Sequence, residues 1–564
     1  MKSYPETVAF LGQFGRFQQV VFFLLCISIV PNGFGAFTLI FLADTPAHYC
    51  RVPDVNLTED WRNAVIPVQV VNGKEVRSSC TRYRLDVVRN LSDQGYILGR
   101  DVNLTSLEEE TCKDGWIYSK DIYQSTIITE FDLVCNDQWK KPFTTTIFFV
   151  GILCGSFFAG QLSDKLGRKP ILFATLALQT TFTFIQVFSV SWSMFTILMV
   201  INGLGQMSNY MAALVLGAEI LTGNARLLYS SLGTCFGFAV GYMILPVCAY
   251  FLRDWKSLLL ALSLPCIVYF PFWWFIPESP RWLLCQGRVE EAEAIVRKAA
   301  RMNKVQAPEV IFEDYLISKE PKPKEKHSIL DLVGNVEIGF MTVILCYVAF
   351  TMSSGYYGIS FNTTHLHSNA YISCFISGAV ELPAYVASWL ALRYISRRLS
   401  IICSLVLTAV LLYFIQLVPE DYSGLSLTLE MVGKFAVTTG FGLMFAYTTE
   451  LYPTALRNTA AGICNTVARM GSCIMPYLLE LRSYSPFLPY IILGSLAVLA
   501  AFATILLPES FGRPLPESIQ QMQKRERIKC PCIPKAEIPV AVVVSENLKS
   551  KEIRNNNHDK STVA

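Results

Sequence analysis

Charge is what this chain has little of. Asp, Glu, Lys and Arg make up 16% of its 564 residues, where an ordinary soluble domain carries about 25%. A shortfall of that size over such a length means that most of the chain faces something other than water. An excess of one sign is missing too: the formal net charge is +3, which gives no reason to expect a nucleic-acid partner. Also absent are a nucleophile–base set, a metal-ligand cluster and a usable phosphate loop, so no enzyme chemistry and no cofactor are expected.

What is abundant is apolar, 52% of residues. These fall in blocks near the length of about 20 residues that crosses a bilayer as a helix. Twelve are read, at 20–42, 143–163, 170–190, 195–217, 231–252, 257–276, 338–361, 371–392, 399–419, 425–448, 460–480 and 487–507. The first is not a cleaved signal peptide. It is long, is interrupted by Pro31-Asn32-Gly33 and lacks a small-residue cleavage site. The expected fold class is an all-α polytopic membrane protein in the lipid bilayer. Its segments are 1–42 (amino terminus and first helix), 43–142 (a large hydrophilic loop), 143–276 (helices two to six), 277–337 (a polar connection), 338–507 (six further helices) and 508–564 (a polar tail).

Lysine and arginine set the orientation. Lys165, Arg168, Lys169, Arg226, Arg393, Arg397, Arg398 and Arg457 all fall on one side when twelve crossings are counted, together with both termini. That side is read as cytoplasmic. The 43–142 loop is then exoplasmic, and it holds Cys50, Cys80, Cys112 and Cys135 with sequons at Asn56, Asn90 and Asn103. Four cysteines there imply two disulfides, with three pairings open. In the tail, Cys530-Pro-Cys532 is a weak palmitoylation motif and Thr562-Val-Ala564 a weak ligand for a peptide-binding domain. Within 277–337, Gly287 to Asn303 has the pattern of an amphipathic helix that packs under the bundle.

The chain repeats itself. Glu219 and Arg226 recur as Glu450 and Arg457, and Pro277-Glu278-Ser279 as Pro508-Glu509-Ser510, always 231 residues on. Two halves with an even number of crossings insert in the same orientation, so they are parallel repeats with a solute site expected between them near the midplane. Such a two-lobed carrier excludes most single-bundle receptors and simple channels. Asp164 and Arg168 sit in the tight loop after the second block. With Glu219, Arg226, Glu450 and Arg457 they are expected to form ion pairs that latch the halves together on the cytoplasmic side. The competing explanation is that these cations only hold loops inside.

Gly160-Gln-Leu-Ser-Asp-Lys-Leu-Gly-Arg-Lys169 resembles the major facilitator signature. Pro277-Glu-Ser-Pro-Arg-Trp282 and the cysteine-bearing first loop resemble the organic ion transporter branch. Ala9-Phe-Leu-Gly12, Ile29-Val-Pro-Asn-Gly-Phe34, Ser279-Pro-Arg-Trp-Leu283 and Glu450-Leu-Tyr-Pro-Thr454 are similar to the carnitine/organic cation transporters, a likeness that fades only after about residue 524. It implies a monomeric carrier of carnitine and other zwitterionic or cationic solutes, often sodium-driven, at the plasma membrane or an internal membrane such as the peroxisome. Relatives are described with a phosphate-loop-like stretch where this chain reads Gly217 to Asn224. Asn224-Ala225 supplies no Lys-Ser or Lys-Thr, so no nucleotide site is assigned.

A quaternary ammonium donates no strong hydrogen bond, so aromatic faces are its natural receptor, and a carboxylate is best held by a guanidinium. Arg469 lies well inside the eleventh block. An arginine near a helix centre costs about 2.5–3.5 kcal/mol on insertion scales and so calls for a role. In the family, cation-selective relatives carry an acid at this place, whereas the carnitine-type carriers resemble this chain. Arg469 is therefore the candidate carboxylate clamp, with an ion pair to Glu381 as the structural alternative. Lys434 and Glu381 are left without a role. The ammonium candidates are Tyr210, Phe238, Tyr242, Tyr356, Phe445 and Tyr447, with Tyr447 and Tyr210 preferred, the former on family resemblance. Sodium wants hard oxygens, offered by Asn32, Gln179, Gln206 and Asn209; helix-to-helix hydrogen bonding would use the same groups. The expected function is sodium-linked carnitine transport. The alternatives are a sodium-independent organic cation or ergothioneine-type carrier, or a receptor or scaffold with a transporter shell.

Overall fold

The computed structural model describes residues 4–12, 14–53, 57–71, 74–96, 101–102, 107–312, 336–362, 369–419, 422–452 and 454–511. Asn56, Asn103, Cys530-Pro-Cys532 and Thr562-Val-Ala564 lie outside them. Twelve long helices stand among the described residues. The first six are α1 (Arg16–Phe37), α2 (Lys140–Leu166), α3 (Arg168–Val187), α4 (Trp192–Ile220), α5 (Thr234–Phe251) and α6 (Trp255–Tyr269). The second six are α7 (Val336–Asn362), α8 (Ala370–Tyr394), α9 (Arg397–Ile415), α10 (Ser423–Leu451), α11 (Thr454–Glu480) and α12 (Leu488–Ile505).

Ten of these are long and apolar enough to cross a membrane. The two others, α4 and α11, are long enough but too polar by composition. They are the helices that carry Gln206, Asn209, Tyr210 and Arg469. Polar residues inside a membrane bundle face its interior, so the exceptions mark where the middle of the protein is not oily.

Close packing rests on small residues. A methyl group at Gly151 of α2 would stand 2.2 Å from the Val200 carbonyl oxygen of α4, and one at Gly203 of α4 would stand 2.3 Å from that of Phe148. Backbone therefore meets backbone, as small residues allow where no hydrophobic effect drives helices together. The expected interruption of the first helix at Pro31-Asn32-Gly33 is not found: α1 runs unbroken through Pro31 to Phe37, and Thr38, itself helical in φ and ψ, leads into Leu39–Leu42. The proline ring removes a single backbone donor, and neighbouring helices compensate. Gln206 of α4 donates to the Asn32 carbonyl at 2.8 Å.

The halves meet along two seams, α2 against α11 and α5 against α8. Thr146 of α2 donates to the Cys473 carbonyl of α11 at 2.9 Å. Tyr242 of α5 and Ser377 of α8 share a hydrogen bond of 3.0 Å.

On one face, the loop face, residues between α1 and α2 form three two-stranded antiparallel ribbons: His48–Cys50 with Trp116–Tyr118, Val68–Val71 with Lys74–Arg77, and Thr81–Tyr83 with Glu109–Thr111. Trp61, Val65, Tyr83 and Val88 make a small core beneath them. Of the three open disulfide pairings, the structure has Cys50–Cys112 and Cys80–Cys135. Buried Arg82 ties the loop together through Glu110 at 3.1 Å, Asp114 at 2.6 Å and the Arg51 carbonyl at 2.8 Å. Asn90 is exposed on the helix Leu85–Asp93. On the opposite face the amphipathic helix is Val289–Asn303, burying Ala292, Val296, Ala299 and Ala300. Asn303 fastens it to the start of α1, accepting from the Phe17 backbone at 2.9 Å and donating to Gln18 at 2.8 Å.

Candidate functional site

A buried ion pair sits inside the second half. Lys434 of α10 lies 3.1 Å from Glu381 of α8, and both side chains are 0% exposed. Lys434 also donates to Ser377 at 2.6 Å. Glu381 accepts from Tyr356 at 2.6 Å on one oxygen and from Tyr385 at 3.2 Å on the other. Two desolvated charges hold at this depth because each is paired and hydrogen-bonded. The sequence alternative, Glu381 with Arg469, is not what forms: Lys434 takes Glu381.

Aromatic rings from both halves close over the pair. Phe37 of α1 stacks on Tyr242 of α5 with centroids 4.0 Å apart, and Tyr356 lies 6.2 Å from Phe37. Phe238 touches the same ring at 6.1 Å. A second layer of Phe149, Tyr357 and Phe361 separates these from an open cleft on the loop face, which Phe149 and Phe361 floor and Asp44, Lys141, Glu480 and Arg482 edge.

Arg469 of α11 lies on this layer. Its Nη1 donates to the Tyr357 hydroxyl at 3.1 Å, and its Nε is buried with no hydrogen-bond partner among the described residues. Tyr210 of α4 is within electrostatic reach of both Arg469 and Tyr357, and Tyr385 of both Glu381 and Tyr210. Five helices thus bring Glu381, Tyr242, Tyr356, Tyr357, Tyr210 and Arg469 to one neighbourhood, with Tyr356 bonded to the acid and Tyr357 to the arginine.

Tyr447 and Phe445 are not brought there. They lie eleven to thirteen residues beyond Lys434 on α10, roughly 16–20 Å along a helix. The Tyr447 hydroxyl donates to the Pro508 carbonyl at 2.5 Å, past the end of α12, and Phe445 packs on Phe441 at 5.2 Å. Tyr357, Tyr385, Phe37 and Ser377 were missed from sequence, where nothing distinguishes them from other polar or aromatic residues of membrane helices. Lys434 and Glu381 were visible as intramembrane charges of opposite sign, a signal that would have suggested pairing them.

The amide cluster gathers in the first half. Asn32 donates to Asn209 at 3.0 Å, and Asn209 to the Leu172 carbonyl at 3.1 Å. The side-chain oxygens of Asn32 and Gln179 are buried with no hydrogen-bond partner among the described residues. A methyl group at Gly35 would stand 2.8 Å from the Gln206 side-chain oxygen and 3.4 Å from Gln179. Side-chain amides from α3 and α4 therefore meet at Gly35, Gln206 through its oxygen and Gln179 through its nitrogen.

On the face opposite the loop, the repeated charges make two matching networks. Arg168 pairs with Asp164 at 2.6 Å and Glu219 at 3.1 Å, while Glu278 accepts from the backbone of Arg168 and Lys169 at 3.0 and 3.2 Å. Arg397 pairs with Glu450 at 3.2 Å, and Glu509 accepts from the backbone of Arg397 and Arg398 at 3.0 and 3.2 Å. Glu278 and Glu509 thus cap the positive amino ends of α3 and α9, a role the Pro-Glu-Ser repeat signalled without revealing. Each network stays inside its own half, so these pairs stiffen the six-helix units and do not latch one to the other. Arg226 is exposed. Arg457 donates to the Tyr452 carbonyl at 3.4 Å. Neither joins an ion pair among the described residues.

Residues 114–522 match the family model described as Sugar (and other) transporter. Organic cation/carnitine transporter 2 of Homo sapiens is 50% identical over 531 residues, 94% of this chain and 95% of that one. Solute carrier family 22 member 4 of Mus musculus is 50% identical over 532 residues, 94% and 96% of the two chains. Among solved structures, the inward open xylose transporter XylE from E. coli superposes with a TM-score of 0.57 at 15% identity, covering 88% of this chain and 98% of its own; at that identity the likeness concerns the fold.

Proposed function

The chain belongs to the sugar (and other) transporter family, and from that premise we propose that it is a sodium-linked carrier of carnitine and related zwitterionic or quaternary-ammonium solutes in the plasma membrane. It is a multi-pass membrane protein of the major facilitator fold, and its relatives are transporters, not enzymes. The observation that carries the reading is the disposition of Glu381 and Arg469. Buried Glu381 and half-buried Arg469 are hydrogen-bonded to adjacent tyrosines, which suits a small molecule with a cation at one end and a carboxylate at the other. The Glu381 side offers a carboxylate and the faces of Tyr242, Tyr356 and Phe37, a receptor for an ammonium that cannot hydrogen-bond. The Arg469 side offers an unpartnered N–H to a carboxylate, where a guanidinium binds best.

Asn32, Gln179 and Gln206 would hold sodium. Their neutral oxygens are the hard ligands that ion prefers, and the buried Asn32 and Gln179 oxygens, without a hydrogen-bond partner among the described residues, support the assignment. One sodium ion moving inward at 100 mV supplies about 2.3 kcal/mol, and with a net-neutral zwitterion each cycle carries current. A sodium-independent carrier of simple cations, the second reading, would need only the Glu381 side and would leave the half-buried Arg469 without a task. The deciding experiment is uptake of labelled carnitine with external sodium present or replaced by choline-free N-methylglucamine. Uptake that collapses without sodium and is competed better by carnitine than by tetraethylammonium supports the proposal. Sodium-indifferent uptake competed best by tetraethylammonium defeats it.

A further inference from the structure

Lys434 stands where a ligand cation would. Its ammonium is 4.4 Å from the ring centroid of Tyr242, 5.4 Å from that of Tyr356 and 5.7 Å from that of Phe37. Glu381 closes the fourth side at 3.1 Å. Ring faces and a carboxylate are the components of an ammonium receptor, and the protein fills it with its own side chain. A substrate ammonium cannot share the place, because two cations would then face one carboxylate in a medium of low dielectric.

One turn along α10, toward the loop face, is Glu430, also 0% exposed. Asn362 donates to its Oε1 at 3.1 Å, and Asn362 is itself fixed by Arg482 at 3.0 Å and by Tyr490 at 2.5 Å. Glu430 Oε2 is buried with no hydrogen-bond partner among the described residues. A carboxylate oxygen left bare inside a membrane bundle is costly; Arg482 and Lys434 are within electrostatic reach of Glu430, but among the described residues neither donates to Oε2. Glu430 and Lys434 are four residues apart with the acid on the amino-terminal side, the order in which such pairs attract best, and the Cβ atoms of such a pair are about 5–6 Å apart. The lysine stem is long and freely rotating. A rotation of that side chain takes its ammonium from Glu381 to the bare oxygen of Glu430.

We propose that Lys434 is a tethered cation with two seats: the Glu381 cage when no substrate ammonium is present, and Glu430 Oε2 when substrate takes the cage. In both states each ammonium has a carboxylate, so binding exchanges partners without stranding a charge. Lys434 and Glu430 are then positioning residues for any ligand with an ammonium, whether or not it also has a carboxylate. This rests on the Glu381 side being the cation subsite, but not on carnitine or on sodium.

The test is a thermal-shift titration of the purified full-length protein with tetramethylammonium. Lys434→Met should tighten apparent binding at least tenfold, because the built-in competitor is gone. Glu430→Gln should weaken it about tenfold when Lys434 is present and less than twofold in the Lys434→Met background. Weaker binding in Lys434→Met, an equal Glu430→Gln effect in both backgrounds, or no effect in either overturns the proposal. Should Lys434→Met not fold, Glu430→Asp replaces it: binding within threefold of the parent supports the charge role, and a loss equal to that of Glu430→Gln contradicts it. Intact shifts beside absent carnitine uptake would support this inference and count against the carnitine reading alone.

Discussion

Tyr356 and Tyr357, neighbours on α7, serve opposite charges: the first donates its hydroxyl to Glu381 at 2.6 Å, and the second accepts from Arg469 at 3.1 Å. Their ring centroids are 5.1 Å apart at 84°, so two consecutive residues of one helix reach groups of opposite charge.

The two hydroxyls are separable. Tyr357→Phe removes a hydrogen bond to a charged group, about 1.5–3 kcal/mol. It should raise the carnitine concentration for half-maximal uptake roughly tenfold while leaving inhibition by tetraethylammonium within twofold. Tyr356→Phe should weaken both. Competition curves for the two variants in the same cells check this.

Sodium dependence should be removable without touching the substrate ends. Gln179→Leu or Asn32→Leu takes away a buried amide oxygen that has no hydrogen-bond partner among the described residues. Either change should raise the sodium concentration for half-maximal carnitine uptake several-fold and keep the maximal rate at saturating sodium. Sodium activation curves identical to the parent's would remove these residues from the ion's site.

The charge networks opposite the loop should act within halves. Reversing Arg168 and Glu219 together should recover part of the thermal stability that either reversal loses, since breaking a partly buried pair leaves an uncompensated charge. A double-mutant cycle between Arg168 and Glu450 should show no coupling. Strong coupling there would restore the latch between halves.

In the 43–142 loop, cutting Cys50–Cys112 by serine substitution opens a closure of 62 residues, worth about 4 kcal/mol on a chain-entropy basis. The variant should lose its protease resistance in that loop and its delivery to the cell surface. Acid should act on the same region. Burial alone would raise the Glu110 carboxyl, but Lys113 and Arg82 outweigh it and hold it below its usual range, and Arg84 holds Asp86 down. Carboxylates with depressed values stabilise the folded loop at neutral pH and release that stability as pH falls below about 4 toward their folded values. Limited proteolysis across that window reads it.

Block hydrophobicity was enough to find the twelve long helices, ten of them apolar enough to cross a membrane, because a membrane helix needs length and composition and no particular period. Even α4 and α11 were legible, since their polar residues are spaced among apolar ones. The 231-residue offset pointed at Glu219, Glu450, Glu278 and Glu509 but could not say which arginine each would meet. A repeat is equally consistent with pairs inside a half and pairs across halves. Arg469 announced itself as a charge in a membrane block. Its relation to Glu381 and Lys434 depends on the vertical register of α8, α10 and α11, which no local pattern encodes. Tyr447 misled for the same reason: nearness in sequence to Glu450 says nothing of its distance from the midplane.

Charge at position 469 is the most direct test of a two-ended site. With Arg469→Gln, half-maximal carnitine uptake should require at least a hundredfold more substrate, while inhibition by tetraethylammonium holds or improves because a nearby positive charge is gone. Carnitine and tetraethylammonium losing affinity in equal measure, or carnitine losing none, would contradict the assignment of Arg469 to the carboxylate.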